Sequence, residues 1–143
     1  MRILAIDWGE KRIGLSISDP SGILVTPLPY IENRGKASSI EKIREIVKEN
    51  QVERIVLGIP KDIEGKIGEK GKIYKRIGEE IKRFTGIEVD FFDERYSTRL
   101  AERILRSHPK RKTKRKELKD SLSASIILEG YLSRIKNEKS TGS

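Results

Sequence analysis

Three carboxylates in this sequence are placed where they could bind metal ions. Asp7 directly follows a four-residue apolar run that is typical of a buried strand. Asp93 and Glu94 end another strand-like segment, and Asp120 precedes the apolar positions of the last predicted helix. Three carboxylates that converge at one edge of a sheet can hold two Mg²⁺ ions about 4 Å apart. Such a pair of ions activates water and stabilises the leaving oxygen of a phosphodiester, so this pattern is typical of a nuclease.

Each carboxylate also has a simpler interpretation. Asp7 could cap the hairpin turn that follows it, and Asp93 could form a surface ion pair with Arg95. Asp120 is predicted in the first turn of a helix, where the helix dipole alone stabilises an aspartate. A metal site therefore forms only if the three carboxylates lie close together in the folded protein. Their predicted positions, at the ends of strands and of a helix, permit this.

Only one member of the Asp93–Glu94 pair can point towards such a site, because successive strand residues face opposite sides of a sheet. The strand is predicted to be central, with helices on both faces, so burial does not distinguish the two. Glu94 stands at the strand's exit, and its longer side chain reaches further towards Asp7. We therefore expect Asp7, Glu94 and Asp120 to be the catalytic residues and the metal ligands.

The available side chains limit the metal. The chain has no cysteine and a single histidine, His108, which lies in a Pro- and Lys-rich stretch. Disulfides, zinc–thiolate sites, cysteine nucleophiles and multi-histidine zinc sites are excluded, and a Ser-His-Asp triad would need that histidine to be well placed in a predicted loop. Ligands that are all oxygen atoms favour Mg²⁺ or Mn²⁺.

Most of the positive charge is concentrated in one segment. Eight of the 31 basic residues and one of the 22 acidic residues lie between Arg106 and Lys119, so this segment carries +7 of the net +9. A basic cluster of this kind is typical of an element that binds phosphate, although a solvated loop with no partner is the alternative. The predicted nucleic-acid contacts are Lys11, Arg12, Arg95, Lys112, Lys114, Arg115 and Lys116.

The apolar pattern predicts an α/β fold with the order β-β-β-α-β-α-β-α-α. Three strands joined by tight turns predict an antiparallel meander, and two later strands entered through helices predict parallel additions. The result is a mixed five-stranded sheet flanked by helices, with an edge strand that contains two prolines. The predicted elements are strands at 3–6, 13–18, 23–31, 52–59 and 89–92, helices at 37–50, 73–85, 97–105 and 118–135, and a mobile loop at 61–72.

The length predicts one domain over residues 1–137, followed by a frayed tail at 138–143. In the predicted helix that Gly86 closes, Ile77, Ile81 and Phe84 are expected on the apolar face. The apolar run before Asp7 is too short for a signal peptide or a membrane span. We therefore expect a cytoplasmic protein with no membrane partner.

Four ordered motifs resemble the YqgF/RuvX family over nearly the whole chain. They are Ala5–Gly14 with Ser18-Asp19, Leu57–Lys61 with Gly65 and Gly68, Asp93–Thr98 with Ala101-Glu102, and Lys119–Ser121 with Ala124 and Ile126–Leu128. Members of this family are described as Holliday junction resolvases and as nucleases that mature the 5′ end of pre-16S rRNA. The resemblance implies an RNase H-like fold and places the family's acidic positions at Asp7, Asp93-Glu94 and Asp120.

The residues and the resemblance together favour processing of pre-rRNA. Three alternatives remain open at this stage. A resolvase would apply the same chemistry to branched DNA, usually as a symmetric dimer; the oligomeric state is left open. A non-catalytic RNA-binding module would bind with or without Mg²⁺. An actin-like ATPase also opens on a strand with Asp-x-Gly, but normally needs two such domains.

Overall fold

The computed structural model describes the chain over residues 1–60, 68–93 and 115–141. Within the last range, side chains are described for residues 122–137. The elements are β1 (Ile3–Trp8), β2 (Arg12–Ser18), β3 (Val25–Glu32), α1 (Lys36–Asn50), β4 (Arg54–Ile59), α2 (Glu69–Thr85), β5 (Glu88–Asp93) and α3 (Arg115–Thr141). Within these ranges, no helix is both long enough and apolar enough to cross a bilayer.

The five strands form one mixed sheet in the order β3-β2-β1-β4-β5. Strands β1, β2 and β3 pair antiparallel, while β4 runs parallel to β1 and β5 runs parallel to β4. This confirms the predicted meander with two parallel additions. Pro27 and Pro29 lie on β3, an edge strand, where a residue without an N–H interrupts no ladder on its outer side. The prediction that the strand before Glu94 is central was wrong, because β5 forms the opposite edge.

Helices cover the two faces of the sheet. On one face, Leu4, Ile6 and Trp8 of β1 pack against buried residues of α1 and α2. On the other face, Ile3 and Ala5 pack against α3. The α3 residues that form this second core are Ala124, Ile127, Leu128 and Tyr131. Because β1 is buried on both sides, it is apolar at nearly every position, which is typical of a central strand.

The second helix differs from its predicted form in two ways. It begins at Glu69, so residues 69–72, predicted to be loop, are helical. Phe84, predicted on the apolar face, is 55% exposed, whereas Tyr74, Ile77 and Ile81 form that face. Gly86 closes the helix as predicted: its φ of 74° is left-handed, and its N–H donates to the carbonyl of Lys82 at 2.8 Å.

Several predictions lie outside the described residues. These are the loop at 61–67, the helix at 97–105 and the greater part of the basic segment. The division into a domain at 1–137 and a frayed tail also stays a prediction.

The Ser18-Asp19 motif has a structural role in the hairpin between β2 and β3. The Ser18 hydroxyl accepts the backbone N–H of Ile3 at 2.9 Å. The Asp19 carboxylate accepts the Ser21 hydroxyl and two backbone N–H groups of the turn. The hydrogen bond from Ser21, followed by those from the backbone, lowers the pKa of Asp19 to about 2. This aspartate is therefore engaged in forming the turn.

The β1–β2 turn provides a test of the fold beside Asp7. A Cβ on Gly9 would lie 2.3 Å from the backbone carbonyl oxygen of Arg12, so any side chain forces the turn open. We expect Gly9→Ala to lower the free energy of unfolding by about 1–3 kcal/mol, the usual cost of overpacking. Gly68→Ser is the control, because Gly68 has φ −83°, open space around it and a helix N-cap position where serine is favoured. Urea unfolding of both variants measures the difference, and equal stability would contradict the close approach.

Candidate active site

Asp7 lies inside β1, one residue before its end, and not after the strand as predicted. Its ladder partner across β2 is Gly14, which has no side chain, and its own side chain is half-buried. Alternation along the strand puts Asp7 on the same face as Ile3 and Ala5, the face that packs against α3. The Asp7 carboxylate therefore lies at the margin of the core between the sheet and α3, next to a glycine on the neighbouring strand.

Two side chains that we had not singled out hold the chain just beyond Asp7. The Asn33 amide donates to the carbonyl of Gly9 at 2.8 Å, and the Asn33 backbone N–H donates to the carbonyl of Lys11 at 2.8 Å. The buried Tyr74 hydroxyl of α2 donates to the carbonyl of Trp8 at 2.8 Å. A tyrosine on the apolar face of a helix indicates such a contact, since a buried hydroxyl needs a partner. Nothing in the sequence pattern indicates the role of Asn33.

Lys11 and Arg12, two of the predicted nucleic-acid contacts, are exposed at this same end of the sheet. The Arg12 guanidinium carbon lies 5.0 Å from the centroid of the Tyr30 ring. The structure therefore places Asp7 and these two cations at the same end of the sheet, as the predicted site requires.

Helix α3 is held against this face by hydrogen bonds to two strands, β2 and β5. Near its middle, the buried Ser125 hydroxyl donates to the Ser16 hydroxyl at 2.9 Å, and Ser16 is the ladder partner of Ala5. Further along, the Tyr131 hydroxyl donates to the carboxylate of Asp90. Leu132, later in α3, lies 3.8 Å from the position of a Cβ on Gly22, in the turn that follows Ser18 at the Ile3 end of β1. The helix therefore runs roughly antiparallel to β1, with its N-terminal part towards Asp7.

The contacts of Tyr131 hold the second half of the helix against the sheet. Its hydroxyl also accepts a hydrogen bond from the Arg54 guanidinium at 3.2 Å, while Arg54 lies 3.7 Å from the Asp90 carboxylate. Burial, followed by the hydrogen bond to Asp90, raises the pKa of Tyr131, so the hydroxyl stays a donor over the ordinary pH range. The Cβ that would be added at Gly130 lies 2.6 Å from the ring of Phe92, so the helix backbone packs directly on β5.

This placement sets the height of position 120 in α3. It lies five residues before Ser125, or roughly 7.5 Å along a helix axis. Asp7 lies two residues beyond Ala5, or roughly 6.6 Å along a strand. The two positions are therefore at about the same level, and position 120 also falls one turn before Ala124, which faces the sheet. Asp120 is not in the first turn, because the helix already includes Arg115, so the dipole alone explains it less well than expected.

Asp93 lies on the other face of the sheet from Asp7. It is the ladder partner of Ile59 and shares its face with Val89 and Phe91, which pack on the α1–α2 side. Phe92 packs on the α3 side. Asp93 and Asp7 are thus separated by the sheet itself.

The remaining predicted site residues lie outside the described side chains. They are Glu94, Arg95, Lys112, Lys114, Arg115, Lys116 and Asp120. Among the side chains that are described, no group of three or more His, Asp or Glu residues could hold a metal ion. Of the three predicted ligands, only Asp7 falls within that set.

Two comparisons of sequence place the chain among known proteins. Residues 1–134 match the model of the family described as "RuvX: Holliday junction resolvase". A protein of Clostridioides difficile (strain 630) named "Putative pre-16S rRNA nuclease" is 43% identical over 131 residues, covering 92% of this chain and 93% of that protein. A Dictyoglomus thermophilum protein of the same name is 42% identical over 132 residues, covering 92% and 95%.

Solved structures share the fold at low sequence identity. The Holliday junction resolvase of fowlpox virus, in complex with its substrate DNA, matches with a TM-score of 0.60 at 15% identity, covering 94% of this chain and 99% of that one. Thermus thermophilus RuvC matches with a TM-score of 0.58 at 13% identity, covering 95% and 97%. The expectation of an RNase H-like fold is confirmed.

The contact between Tyr74 and Trp8 can be tested by its contribution to stability. Tyr74→Phe leaves the Trp8 carbonyl without this donor, and we expect a loss of about 1–2 kcal/mol in the free energy of unfolding. Tyr30→Phe is the control, because the Tyr30 hydroxyl has no hydrogen bond within the described part of the chain. Thermal and urea unfolding compare the two. If Tyr74→Phe were as stable as the control, the hydroxyl would not hold the end of β1.

Proposed function

Because the chain belongs to the RuvX family, we propose that it is a metal-dependent nuclease that processes the 5′ end of pre-16S rRNA. Members of a resolvase family and relatives named as nucleases share one reaction, the hydrolysis of phosphodiester bonds in nucleic acid. The observation that carries the proposal is the position of Asp7 on the face of the sheet that α3 covers, with the N-terminal part of α3 towards it. The 37–43% identity of the chain to eight relatives named as pre-16S rRNA nucleases favours ribosomal RNA precursor as the substrate.

Asp7, Glu94 and Asp120 are the proposed ligands of Mg²⁺, or of Mn²⁺ in its place. The donor set fits these ions, because the chain has no thiol and one imidazole, while the side chain of Asp7 is half-buried next to a glycine, its ladder partner Gly14. The position of Asp93 on the opposite face supports Glu94 as the second ligand. A chain that stays extended for one more residue after Asp93 turns that residue to the Asp7 face.

The residues of the chain have separate roles in this proposal. Bound Mg²⁺ would supply the activation of water and the stabilisation of charge on the leaving oxygen. The three carboxylates hold and orient the ions. Lys11 and Arg12 bind phosphate at the edge of the sheet. Arg95, Lys112, Lys114, Arg115 and Lys116 bind the backbone further from the cleaved bond, in a way that weakens with salt.

Cleavage of four-way DNA junctions is the second candidate function. Two findings favour it: the matching family is described as a Holliday junction resolvase, and the fowlpox virus protein that shares the fold is a resolvase solved with its substrate, Holliday junction DNA. The chemistry and the ligands would be the same, so only the substrate distinguishes this reading. A symmetric dimer would accompany it, since two strands of a junction are cut.

A side-by-side cleavage assay tests the proposal. Labelled pre-16S rRNA and a labelled four-way junction are incubated with the protein, in Mg²⁺ and in EDTA. We expect cleavage of the RNA at the mature 5′ end in Mg²⁺ only. Cleavage of the junction alone would establish the second candidate. Binding of RNA with no cleavage under either condition would instead indicate a non-catalytic RNA-binding module and refute the nuclease.

Asp7→Asn tests the metal site directly. Asparagine keeps the shape of the side chain but loses the charge that binds the cation, so we expect cleavage to fall below detection. RNA binding and the unfolding temperature should stay near wild-type values, because the substituted side chain lies at the edge of the core. Gel-shift assays and thermal unfolding provide these controls. Wild-type turnover in this variant would rule out a role for Asp7 in metal binding.

Glu94→Gln and Asp93→Asn, made separately, identify the second ligand. We expect Glu94→Gln to lose Mg²⁺-dependent cleavage while its melting temperature holds or rises, since clustered negative charge is relieved. Asp93→Asn should cleave nearly normally, because Asp93 faces the α1–α2 layer. The two variants remove one charge each and differ in the face they change, so each is the control for the other. The reverse result would transfer the role to Asp93.

A further inference from the structure

A bulge in β3 presents Tyr30 beside the candidate active site. The β2–β3 ladder pairs Ile13 with Ile31, but its next pair is Leu15 with Leu28. Two residues of β3, Pro29 and Tyr30, therefore stand opposite the single residue Gly14. A bulge of this kind re-aims a side chain and ends regular pairing, and such bulges are common next to active sites.

Tyr30 lies on the same face of the sheet as Asp7. Its neighbour Ile31 and the paired Ile13 both belong to the core on the α1–α2 side. By alternation, Tyr30 and Arg12 belong to the opposite face, which is the face of Ala5 and Asp7. The contact of the Arg12 guanidinium with the Tyr30 ring at 5.0 Å agrees with this assignment.

Asp7, Gly14 and Tyr30 form a row across three strands. Asp7 is paired with Gly14, and Gly14 faces the bulge, so two strand spacings separate Asp7 from Tyr30, or roughly 10 Å. The middle position, Gly14, is buried and places no side chain between the two ends. One end of the row carries a carboxylate, and the other carries an aromatic ring with a cation above it. Tyr30 is only half-buried, which leaves part of the ring open to a ligand.

We propose that Tyr30 and Arg12 form a platform for one unpaired nucleotide next to the cleaved bond. The base stacks on Tyr30, and Arg12 binds the phosphate of the same nucleotide. An aromatic ring paired with a cation is the usual means of holding single-stranded nucleic acid, because every base has a face that stacks. This inference rests on the proposed function and deepens it: the preferred substrate is unpaired where it is cut.

The first experiment measures stacking without cleavage. The probe is a short single-stranded RNA with 2-aminopurine at the nucleotide beside the cleaved bond, bound to the Asp7→Asn protein in EDTA. We expect the protein to quench the fluorescence, Tyr30→Ala to abolish the quenching, and Tyr30→Trp to restore it. Phe84→Ala is the matched control, since Phe84 also has an arginine above its ring, Arg83 at 5.8 Å, but lies on α2. Equal quenching by the Tyr30→Ala and Phe84→Ala proteins would overturn the proposal.

The second experiment measures the effect on cleavage. With Asp7 intact and Mg²⁺ present, we expect Tyr30→Ala to raise KM about tenfold, within the usual range for the loss of one stacked base, and to leave kcat within about twofold. Removing the base from that nucleotide should cost the wild-type protein the same factor and cost Tyr30→Ala nothing more. If Tyr30→Ala and removal of the base each raised KM independently, so that their two factors multiplied, the platform would be overturned.

The two experiments separate this inference from the proposed function. If the wild-type protein cleaved no RNA while quenching still depended on Tyr30, the nuclease would be refuted and the platform would stand. If cleavage required Asp7 while quenching and KM were insensitive to Tyr30, the nuclease would stand and the platform would be refuted. Thermal unfolding of Tyr30→Ala guards against misfolding, because a stacking defect in a folded variant leaves the melting temperature near that of the wild type.

Discussion

The alternation of side chains along β1 is the constraint on which the rest of the structure depends. Leu4, Ile6 and Trp8 fill the core under α1 and α2, while Ile3 and Ala5 fill the core under α3. A strand buried on both faces has no freedom to slip by one residue, since a slip would exchange every side chain between the two cores. The same alternation carries Asp7 to the α3 face, so burial of five apolar neighbours determines where the carboxylate points.

Helix α3 covers the face of the sheet on which Asp7 lies. Its apolar stripe would permit some sliding along the sheet, because hydrophobic contact is not directional. The hydrogen bonds of Ser125 to Ser16 and of Tyr131 to Asp90 are directional, and their partners lie on two different strands, β2 and β5. Polar groups buried in a core are costly unless paired, so a displaced helix would lose both pairs at once. These two contacts therefore hold α3 in place across the sheet.

The errors made from the sequence have identifiable physical causes. Three of the four residues of Val89–Phe92 are apolar, which is typical of a central strand, yet β5 lies at the edge, with Phe92 covered by the close approach of Gly130. The start of α2 was set four residues late because its first turn, Glu69–Lys72, has charged residues and a glycine that resemble a loop. Strand order and helix contacts, which decide both cases, are properties of the assembled sheet.

The sequence by itself determined the type of chemistry and the order of elements. The absence of cysteine, the single histidine and the carboxylates at Asp7, Asp93-Glu94 and Asp120 limit the ligands to oxygen, and local periodicity is enough to outline the strands and helices. Only the tertiary structure decided which groups share a face. It set Asp93 apart from Asp7, placed α3 on the Asp7 face, and revealed Asn33, Tyr74 and Tyr30 near the same end of the sheet. These relations join residues distant in the chain, and they depend on strand register, a bulge and the direction of a helix, which no local pattern of residues encodes.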